Sequence, residues 1–289
     1  NSIDKITNLS YNSTINLQGK LISLQNPLIM GILNLTNDSF FDGGKYVNNI
    51  GKALSRTKEM IDQGADIIDI GACSTRPNAI LVSQEEELKQ LIPVVREIRK
   101  EFPDIIISID TVWSKVALTT IQEGANIIND ISGGQFDSEL FKILPSLKAP
   151  YVLSHTPTTP DKIQKNTNYE NIFLDISNYF SEKINQLHKL GVYDIILDLG
   201  FGFGKTIEQN YFLLNHLEDF KTFGLPILTG ISRKTMIYKP LSLSAQEALN
   251  GTTFLHAFAL MNNSNILRVH DVKEAKQCVE LYKLIENNK

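Results

Sequence analysis

Eight short apolar runs follow one another between residues 28 and 271 and limit the folds that are open to this chain. The runs are rich in Ile, Val and Leu, and their apolar character is nearly continuous, as is typical of parallel strands covered on both faces. We therefore expect an α/β fold. In chain order the runs are LIMGILN (28–34), ADIIDIG (65–71), IIISID (105–110), ANIIND (125–130), PYVLSH (150–155), DIILDLG (194–200), PILTGIS (226–232) and NILRVHD (265–271).

Stretches with the spacing of amphipathic helices separate these runs, and residues 83–102 and 169–191 are the clearest examples. The second stretch has apolar residues three or four positions apart. These residues are Ile172, Ile176, Phe180, Ile184 and Leu187. Eight strands that alternate with helices predict a (β/α)8 TIM barrel. The alternative is a doubly wound open sheet, which usually carries a glycine-rich first turn, whereas the first run here ends in NLTNDSFFDGG.

The segment before the first run has a different pattern. In TINLQGKLISL (14–24), two short strand-like runs flank Gly19, which predicts a β-hairpin. We therefore expect an N-terminal tail and hairpin over residues 1–27, followed by a single barrel domain over residues 28–289.

Composition and charge limit the partners and the cellular compartment that we expect for this protein. The net charge of −4 disfavours a nucleic-acid surface, and neither a membrane-length apolar run nor a signal-peptide pattern is present in the sequence. The two cysteines, Cys73 and Cys278, do not have the spacing of a metal site, so free thiols in a reducing compartment are expected. We predict a cytoplasmic protein without nucleic-acid or membrane partners.

Polar residues stand at the C-terminal end of every predicted strand, which is the face where barrel enzymes carry their active sites. Any one of them could instead cap the following helix, but eight together favour an active site. They are Asn34, Asp69, Asp110, Asn129, His155, Asp198, Ser232 with Arg233 and Lys234, and Arg268 with His270 and Asp271.

These side chains divide into two chemical groups. Asp110, Asn129 and Asp198 suit the edge of a heterocycle, because a carboxylate accepts parallel N–H bonds and an amide both donates and accepts. A second group offers positive charge or donors to an anion, and it consists of Arg76, Lys205, Arg233, Lys234, Arg268 and His270. Together the groups suggest a heterocyclic substrate with a phosphate leaving group.

The stretch DLGFGFGKT (198–206) is not a nucleotide-phosphate loop. Leu199 stands where the first glycine of that motif is required, and Lys205 stands where a dinucleotide fingerprint needs its third glycine. Two longer loops, at about residues 35–47 and 72–82, follow the first and second strands. Glycine-containing loops at a barrel mouth suggest lids that exclude water, although disordered excursions are the alternative.

Seven segments in this order, one at almost every strand end, resemble the dihydropteroate synthase family over residues 28–285. They are MGILNLTNDSFFDGG (30–44), GADIIDIGACSTRP (64–77), SID (108–110), GANIINDISGG (124–134), DLGFGFGKT (198–206), GISRK (230–234) and LRVHDVKE (267–274). The resemblance implies a transferase that joins dihydropterin pyrophosphate to p-aminobenzoate, through early loss of pyrophosphate and a cationic pterin. It also implies a sulfonamide target and a homodimer formed through late helices such as 249–261.

The resemblance implies a role for particular residues as well. Asp110, Asn129, Asp198 and Lys234 would bind the pterin, and Asp110, Asp198 and Lys234 would be catalytic. Asn34, Arg268 and His270 would bind the pyrophosphate, with Mg2+ as the cofactor coordinated at Asn34. The p-aminobenzoate pocket would consist of Phe40, Thr75, Arg76, Pro77, Phe203, Lys234 and Thr235. Lys205 would lie outside the chemistry, at the start of the following helix.

The chain departs from the pattern of this family at several positions. Ser154 and Thr156 replace methionines, Leu199 and Asn37 replace prolines, Cys73 replaces an acidic residue and Asn78 replaces a glycine. Two alternatives therefore stay open: a pterin-binding methyltransferase on the same scaffold, and a non-catalytic pterin-binding paralogue. The methyltransferase would have no use for the STRP and SRK segments.

Overall fold

The computed structural model describes residues 14–35, 46–72, 82–157 and 167–288, with the side chains of 46–49 left out. In the described residues, a separate two-stranded sheet consists of β1 (Thr14–Leu17) and β2 (Lys20–Ser23). Eight parallel strands follow it: β3 (Leu28–Asn34), β4 (Ile67–Gly71), β5 (Ile106–Asp110), β6 (Ile127–Asp130), β7 (Tyr151–Ser154), β8 (Ile195–Asp198), β9 (Ile227–Thr229) and β10 (Ile266–Val269). They close into a barrel in the order β10-β3-β4-β5-β6-β7-β8-β9, which confirms the TIM barrel and excludes the open sheet.

Helices connect consecutive strands and cover the outside of the barrel. In the described residues they are α1 (Tyr46–Asp62), α2 (Gln84–Glu101), α3 (Ser114–Gln122), α4 (Leu140–Leu147), α5 (Ile172–Lys189), α6 (Ile207–Asn215), a 3-10 helix (Leu217–Phe223), α7 (Thr235–Tyr238), α8 (Leu249–Met261) and α9 (Val272–Glu286). Helix α5 buries Ile176, Phe180, Ile184 and Leu187, which confirms the apolar face predicted from the spacing. None of the described helices is both long and apolar enough to cross a membrane.

The predicted hairpin is present and closes the N-terminal end of the barrel. Strands β1 and β2 pair antiparallel, and both turn residues, Gln18 and Gly19, have positive φ, as two-residue hairpin turns favour. Ile15, Leu17 and Leu24 pack against inward-facing side chains of the barrel strands. The hairpin thereby covers apolar surface that the open end of the barrel would otherwise expose to water.

The strand register sets the level of the polar residues at the other end. Asn34 is aligned with Gly71, Gly71 with Asp110, and Asp110 with Asn129. Three of the predicted site residues therefore lie at one height around the mouth. Some polar residues, such as Ser232 and His270, lie just beyond the strands on the loops that leave the barrel.

Candidate active site

A buried network of five side chains lies on one side of the barrel mouth. Arg268 of β10 donates from Nε to Asp69 Oδ2 at 2.7 Å and from Nη2 to Asp110 Oδ2 at 2.7 Å. Asn129 of β6 donates from Nδ2 to the same oxygen of Asp69 at 3.0 Å. Ser108 donates its hydroxyl to Asp69 Oδ1 at 2.6 Å. The barrel thus brings together Asp110, Asn129 and Arg268, which the sequence analysis had placed in two separate binding groups.

Burial and charge both act on this network. Burial raises the pKa of Asp110, and the nearby carboxylates of Asp69, Asp130 and Asp198 raise it further, while Arg268 opposes them. Burial alone would lower the pKa of Arg268, but Asp69 and Asp110 outweigh it and raise that pKa. Removing one member of such a buried ionic group leaves an uncompensated charge, which typically costs about 3–5 kcal/mol.

Asp198, at the end of β8, faces the other half of the mouth. The backbone N–H of Gly200 donates to its Oδ1 at 2.9 Å, and the hydroxyl of Ser154 donates to its Oδ2 at 3.1 Å. Ser154 is aligned with Asp198 across the β7–β8 pair. The serine that departs from the family pattern therefore contacts a predicted catalytic carboxylate directly.

The glycine-rich loop after β8 packs tightly against the end of β7. Gly200 has a φ of +67°, and a Cβ atom there would lie 2.0 Å from the carbonyl oxygen of His155, so no other residue fits without moving the strand end. Lys205 is buried beneath the loop, and its Nζ lies 3.0 Å from His155 Nδ1, 3.0 Å from the Gly200 oxygen and 3.1 Å from the Phe203 oxygen. Burial lowers the pKa of Lys205 to about 7.

Because loop acceptors surround Lys205, it holds the loop and is not available to a phosphate. The helix that follows begins with Thr206 as its N-cap, and Thr206 and Gln209 form a reciprocal capping box. Lys205 therefore stands just before that helix.

Lys234, which belongs to both predicted substrate sites, lies beside the glycine-rich loop after β8. Its Nζ donates to the Phe201 carbonyl oxygen and stands 4.4 Å from the centroid of the Phe203 ring. Burial lowers the pKa of Lys234 to about 8, while Asp198 opposes that change. Thr235, the first residue of α7, places its hydroxyl 3.2 Å from the hydroxyl of Tyr238.

Arg233 does not serve the anion group, so its inclusion there was wrong. Its Nε and Nη2 donate to the two oxygens of Asp271, both at 2.8 Å, and its Nη1 donates to the Ala245 and Gln246 carbonyl oxygens at 3.0 and 2.6 Å. The guanidinium is thus committed to holding the loop before α8 against the start of α9. Local sequence gave no sign of this because Asp271 lies 38 residues away.

The remaining predicted residues divide between the mouth and the undescribed segments. His270 is exposed at the mouth, with its Nδ1 3.1 Å from the Ser232 hydroxyl, and Asn34 ends β3. Phe40, Thr75, Arg76 and Pro77 lie outside the described residues, as do Asn37, Cys73 and Asn78. The two predicted lid loops fall largely in the same segments.

The sequence pattern predicts no role for Asp69 or Ser108. It marks Asp69 only as a polar residue in a predicted strand, and the partners of that carboxylate lie far away in the chain. Ser108 stands two residues before Asp110 and so shares its face of the strand. That spacing was the available signal.

The fold and this mouth define a pterin-binding barrel enzyme, and residues 30–270 match the model of the family described as "Pterin binding enzyme". Curated relatives include the dihydropteroate synthases of Clostridium beijerinckii, 45% identical over 89% of this chain and 93% of the relative, and of Escherichia coli K12, 40% identical over 93% and 94%. The chain belongs to the dihydropteroate synthase family, which confirms the resemblance and makes it a transferase.

Solved structures agree with this assignment. The Yersinia pestis dihydropteroate synthase in a sulfonamide drug complex has a TM-score of 0.88 at 36% identity, covering 96% of this chain and 100% of that one. The Xanthomonas albilineans enzyme with 4-aminobenzoic acid has a TM-score of 0.87 at 30% identity, covering 95% and 98%. These relatives support dihydropteroate synthase over the methyltransferase and the non-catalytic paralogue.

Proposed function

We propose that this chain condenses 6-hydroxymethyl-7,8-dihydropterin pyrophosphate with p-aminobenzoate to give 7,8-dihydropteroate and pyrophosphate. The observation that carries this proposal is the juxtaposition of Asp110 and Asn129 with Arg268 in one mouth. The first two suit the edge of a heterocycle, and the third suits a phosphate. A substrate that joins a pterin to a diphosphate fits both at once.

The pterin would lie against Asp110, Asn129, Asp198 and Lys234. Within the described part of the chain, the Oδ1 atoms of Asp110 and Asn129 have no hydrogen-bond donor, so both can accept N–H groups of the pterin. Ser154 and Gly200 hold the Asp198 carboxylate in place, and each of its oxygens keeps a second lone pair for the ligand. Such prepositioned acceptors do not need to reorganise when the reaction begins.

Bond breaking would start at the leaving group. The electron pair of the C–O bond goes to the pyrophosphate oxygen, which leaves a cationic pterin methylene. The aniline nitrogen of p-aminobenzoate then forms the new C–N bond and loses a proton. Arg268, His270 and Asn34 would bind the departing pyrophosphate, whose charge grows during the step, while Asp110 and Asp198 stabilise the cation.

Magnesium is proposed as the cofactor at Asn34. The described residues contain no cluster of three His, Cys, Asp or Glu side chains placed to hold a metal, and Asn34 offers one amide oxygen. Such a sparse donor set fits Mg2+, which commonly keeps waters and binds through substrate phosphates. When bound, it would supply positive charge to the pyrophosphate.

The p-aminobenzoate would bind between Phe203, Lys234 and Thr235. Phe203 supplies an aromatic face, and Lys234 supplies a cation 4.4 Å from the centre of that ring. A sulfonamide resembles p-aminobenzoate in shape, so we expect it to compete for the same pocket. Phe40, Thr75, Arg76 and Pro77 stay predicted members of the pocket.

Pyrophosphate release tests this proposal. We expect release from dihydropterin pyrophosphate with Mg2+ to depend on p-aminobenzoate and to yield dihydropteroate. Asp198→Asn should reduce kcat/KM by about 100-fold or more, the scale of losing one transition-state group. Asp219→Asn, which alters an exposed pair with His216, is the control. Pterin binding without release would instead support a non-catalytic paralogue.

A homodimer through α8 and α9 is part of the proposal. These two helices pack against each other and expose several large apolar side chains: Phe254 and Met261 on α8, and Leu281, Leu284 and Ile285 on α9. Exposed patches of this kind commonly mark protein interfaces, and a second copy of the chain would cover them symmetrically. A cytoplasmic location also stays a prediction.

Light scattering tests the dimer. Phe254→Asp combined with Leu281→Asp should convert a dimer into a monomer. Leu21→Asp, at an equally exposed apolar residue of the hairpin, should leave the dimer intact. A monomeric mass for the unaltered chain would rule the dimer out.

A further inference from the structure

Asp69 is the most deeply buried carboxylate of the mouth network. It is fully buried, and both oxygens are occupied: Oδ1 accepts from Ser108, and Oδ2 accepts from Asn129 and Arg268. Because the carboxylate is fully buried behind these groups, no substrate atom reaches it. Any effect of Asp69 on the reaction therefore passes through the residues that it contacts.

We propose that Asp69 is a positioning residue, which orients the heterocycle-binding Asn129 and the pyrophosphate-binding Arg268 through one carboxylate oxygen. The inference rests on the proposed function, because Asn129 and Arg268 take their ligand roles from it. It adds a residue that touches neither half of the substrate but controls the binding of both.

The orientation of the Asn129 amide follows from its contact with Asp69. If the amide were reversed, Asn129 Oδ1 would face a carboxylate oxygen at about the same separation, and two acceptors would meet without a proton between them. Asp69 therefore keeps Nδ2 on its own side at 3.0 Å. Asn129 Oδ1 then points away from Asp69 and is left to accept an N–H of the heterocycle.

The plane of the Arg268 guanidinium is fixed by two carboxylates. Nε is bonded to Asp69 and Nη2 to Asp110, each at 2.7 Å, and a planar group held at two points cannot rotate freely. Over the residues that the structure describes, no acceptor reaches Nη1. That nitrogen is thus held as a donor for the pyrophosphate, which makes Asp69 the shared support of both subsites.

The first test is ligand binding to Asp69→Ala. We expect the Kd of 6-hydroxymethylpterin and the Kd of inorganic pyrophosphate with Mg2+, measured separately by calorimetry, each to rise about tenfold, or about 1.4 kcal/mol. The KM for p-aminobenzoate should stay within about twofold. By comparison, Asn129→Ala should weaken mainly the pterin and Arg268→Ala mainly pyrophosphate. Weaker binding of both ligands, after a change at a residue that contacts neither, is the result expected for a positioning residue.

Asp130→Ala is the matched control. Asp130 is also a fully buried carboxylate with three hydrogen bonds, from the Ser132 and Gly134 N–H groups and the Tyr151 hydroxyl. It is next to Asn129 on β6, but its side chain points to the opposite face of the strand. We expect Asp130→Ala to lower Tm as Asp69→Ala does, with both Kd values changing less than about threefold.

The outcomes separate the inference from the proposed function. If the unaltered chain binds no pterin and releases no pyrophosphate, the proposed function fails. If it does both and Asp69→Ala keeps either Kd, the positioning role is wrong.

If Asp69→Ala does not fold, Asp69→Asn is the variant that tests the positioning role. Its amide oxygen can accept from Asn129 and Arg268 while its NH2 donates to the Ser108 hydroxyl, so the fold should persist. The lost charge weakens the hold on Arg268, so we expect the Kd of pyrophosphate with Mg2+ to rise about fivefold, while the pterin Kd changes less because the contact with Asn129 is kept. An unchanged pyrophosphate Kd would overturn the inference.

Discussion

The same strands form an apolar layer at the N-terminal end of the barrel and a polar site at the C-terminal end. At the N-terminal end, inward side chains pack with the hairpin in a layer without charge: Met30, Ile67, Ile127, Val152, Ile196, Leu228 and Ile266. Two residues further along four of these strands stand Asp69, Asn129, Asp198 and Arg268. Since side chains two apart on a strand share a face, the apolar floor and the polar mouth lie in one interior.

Because of this contrast, the two ends contribute differently to the stability of the fold and to ligand binding. The floor is stabilised by removing apolar surface from water. The mouth instead contains buried charges that are tolerated only because Arg268 lies between Asp69 and Asp110. We therefore expect changes at the floor to alter the free energy of unfolding alone, and changes at the mouth to alter ligand binding as well.

The largest effect is expected at the mouth. Arg268→Met should lower the free energy of unfolding by about 3–5 kcal/mol, because it leaves two buried carboxylates without a counter-charge. Adding Asp69→Asn should restore part of the loss by removing one of those charges. Urea denaturation of the single and double variants measures both values. A single variant as stable as the unaltered protein would show that the mouth is wetter than the contacts indicate.

The next effect is expected at the floor. Ile15→Ala should lower the free energy of unfolding by about 2–3 kcal/mol, since Ile15 is fully buried between the hairpin and the barrel. At a temperature where the variant stays folded, kcat and both KM values should match those of the unaltered protein. A changed KM for the pterin substrate would contradict the claim that the apolar end affects stability alone.

A smaller effect is expected on the affinity for p-aminobenzoate when the pH is raised. With the pKa of Lys234 lowered to about 8, the cation is mostly present at pH 7 and mostly lost at pH 9. Since p-aminobenzoate stays a carboxylate over this range, its apparent affinity should fall by about tenfold as the charged fraction falls. Lys234→Gln should bind weakly with a flat profile, as measured by calorimetry at several pH values. A flat profile for the unaltered protein would contradict a charged role for Lys234.

The smallest effect is expected for Ser154→Ala. It removes the hydroxyl that donates to Asp198 Oδ2; a bond to a charged group contributes about 1.5–3 kcal/mol to stability, and the bound pterin senses a part of that loss. The pterin Kd should therefore rise about fivefold. Ser264→Ala, which removes a buried hydroxyl bonded to Thr229 before β10, should leave the Kd unchanged. Equal effects of both substitutions would mean that Ser154 acts only through stability.

The sequence patterns predicted which strands and helices form more accurately than the residues at which they end. The eight apolar runs, the hairpin and the buried face of α5 are all confirmed. Seven of the eight barrel strands are shorter than their runs, and only β3 has the bounds of its run. PILTGIS, for example, extends to residue 232, whereas β9 ends at Thr229. At this end the chain leaves the barrel, and buried loop residues continue the apolar pattern without pairing to a neighbouring strand.

The sequence by itself determined the barrel, because the period of apolar residues is a local property that a strand or helix expresses directly. It also determined the polar character of the mouth and the resemblance to the family. Only the tertiary structure decided which of the charged residues meet. Arg268 is 199 residues from Asp69 and 158 from Asp110, and barrel closure between β10 and β3 brings them into contact.

The same reason explains why Arg233 and Lys205 do not serve the predicted anion group, as the family resemblance already implied for Lys205. Both stand near predicted site residues in the sequence, but their side chains turn to Asp271 and to the carbonyl groups of the glycine loop. Direction and partner depend on what the completed fold places within hydrogen-bond reach.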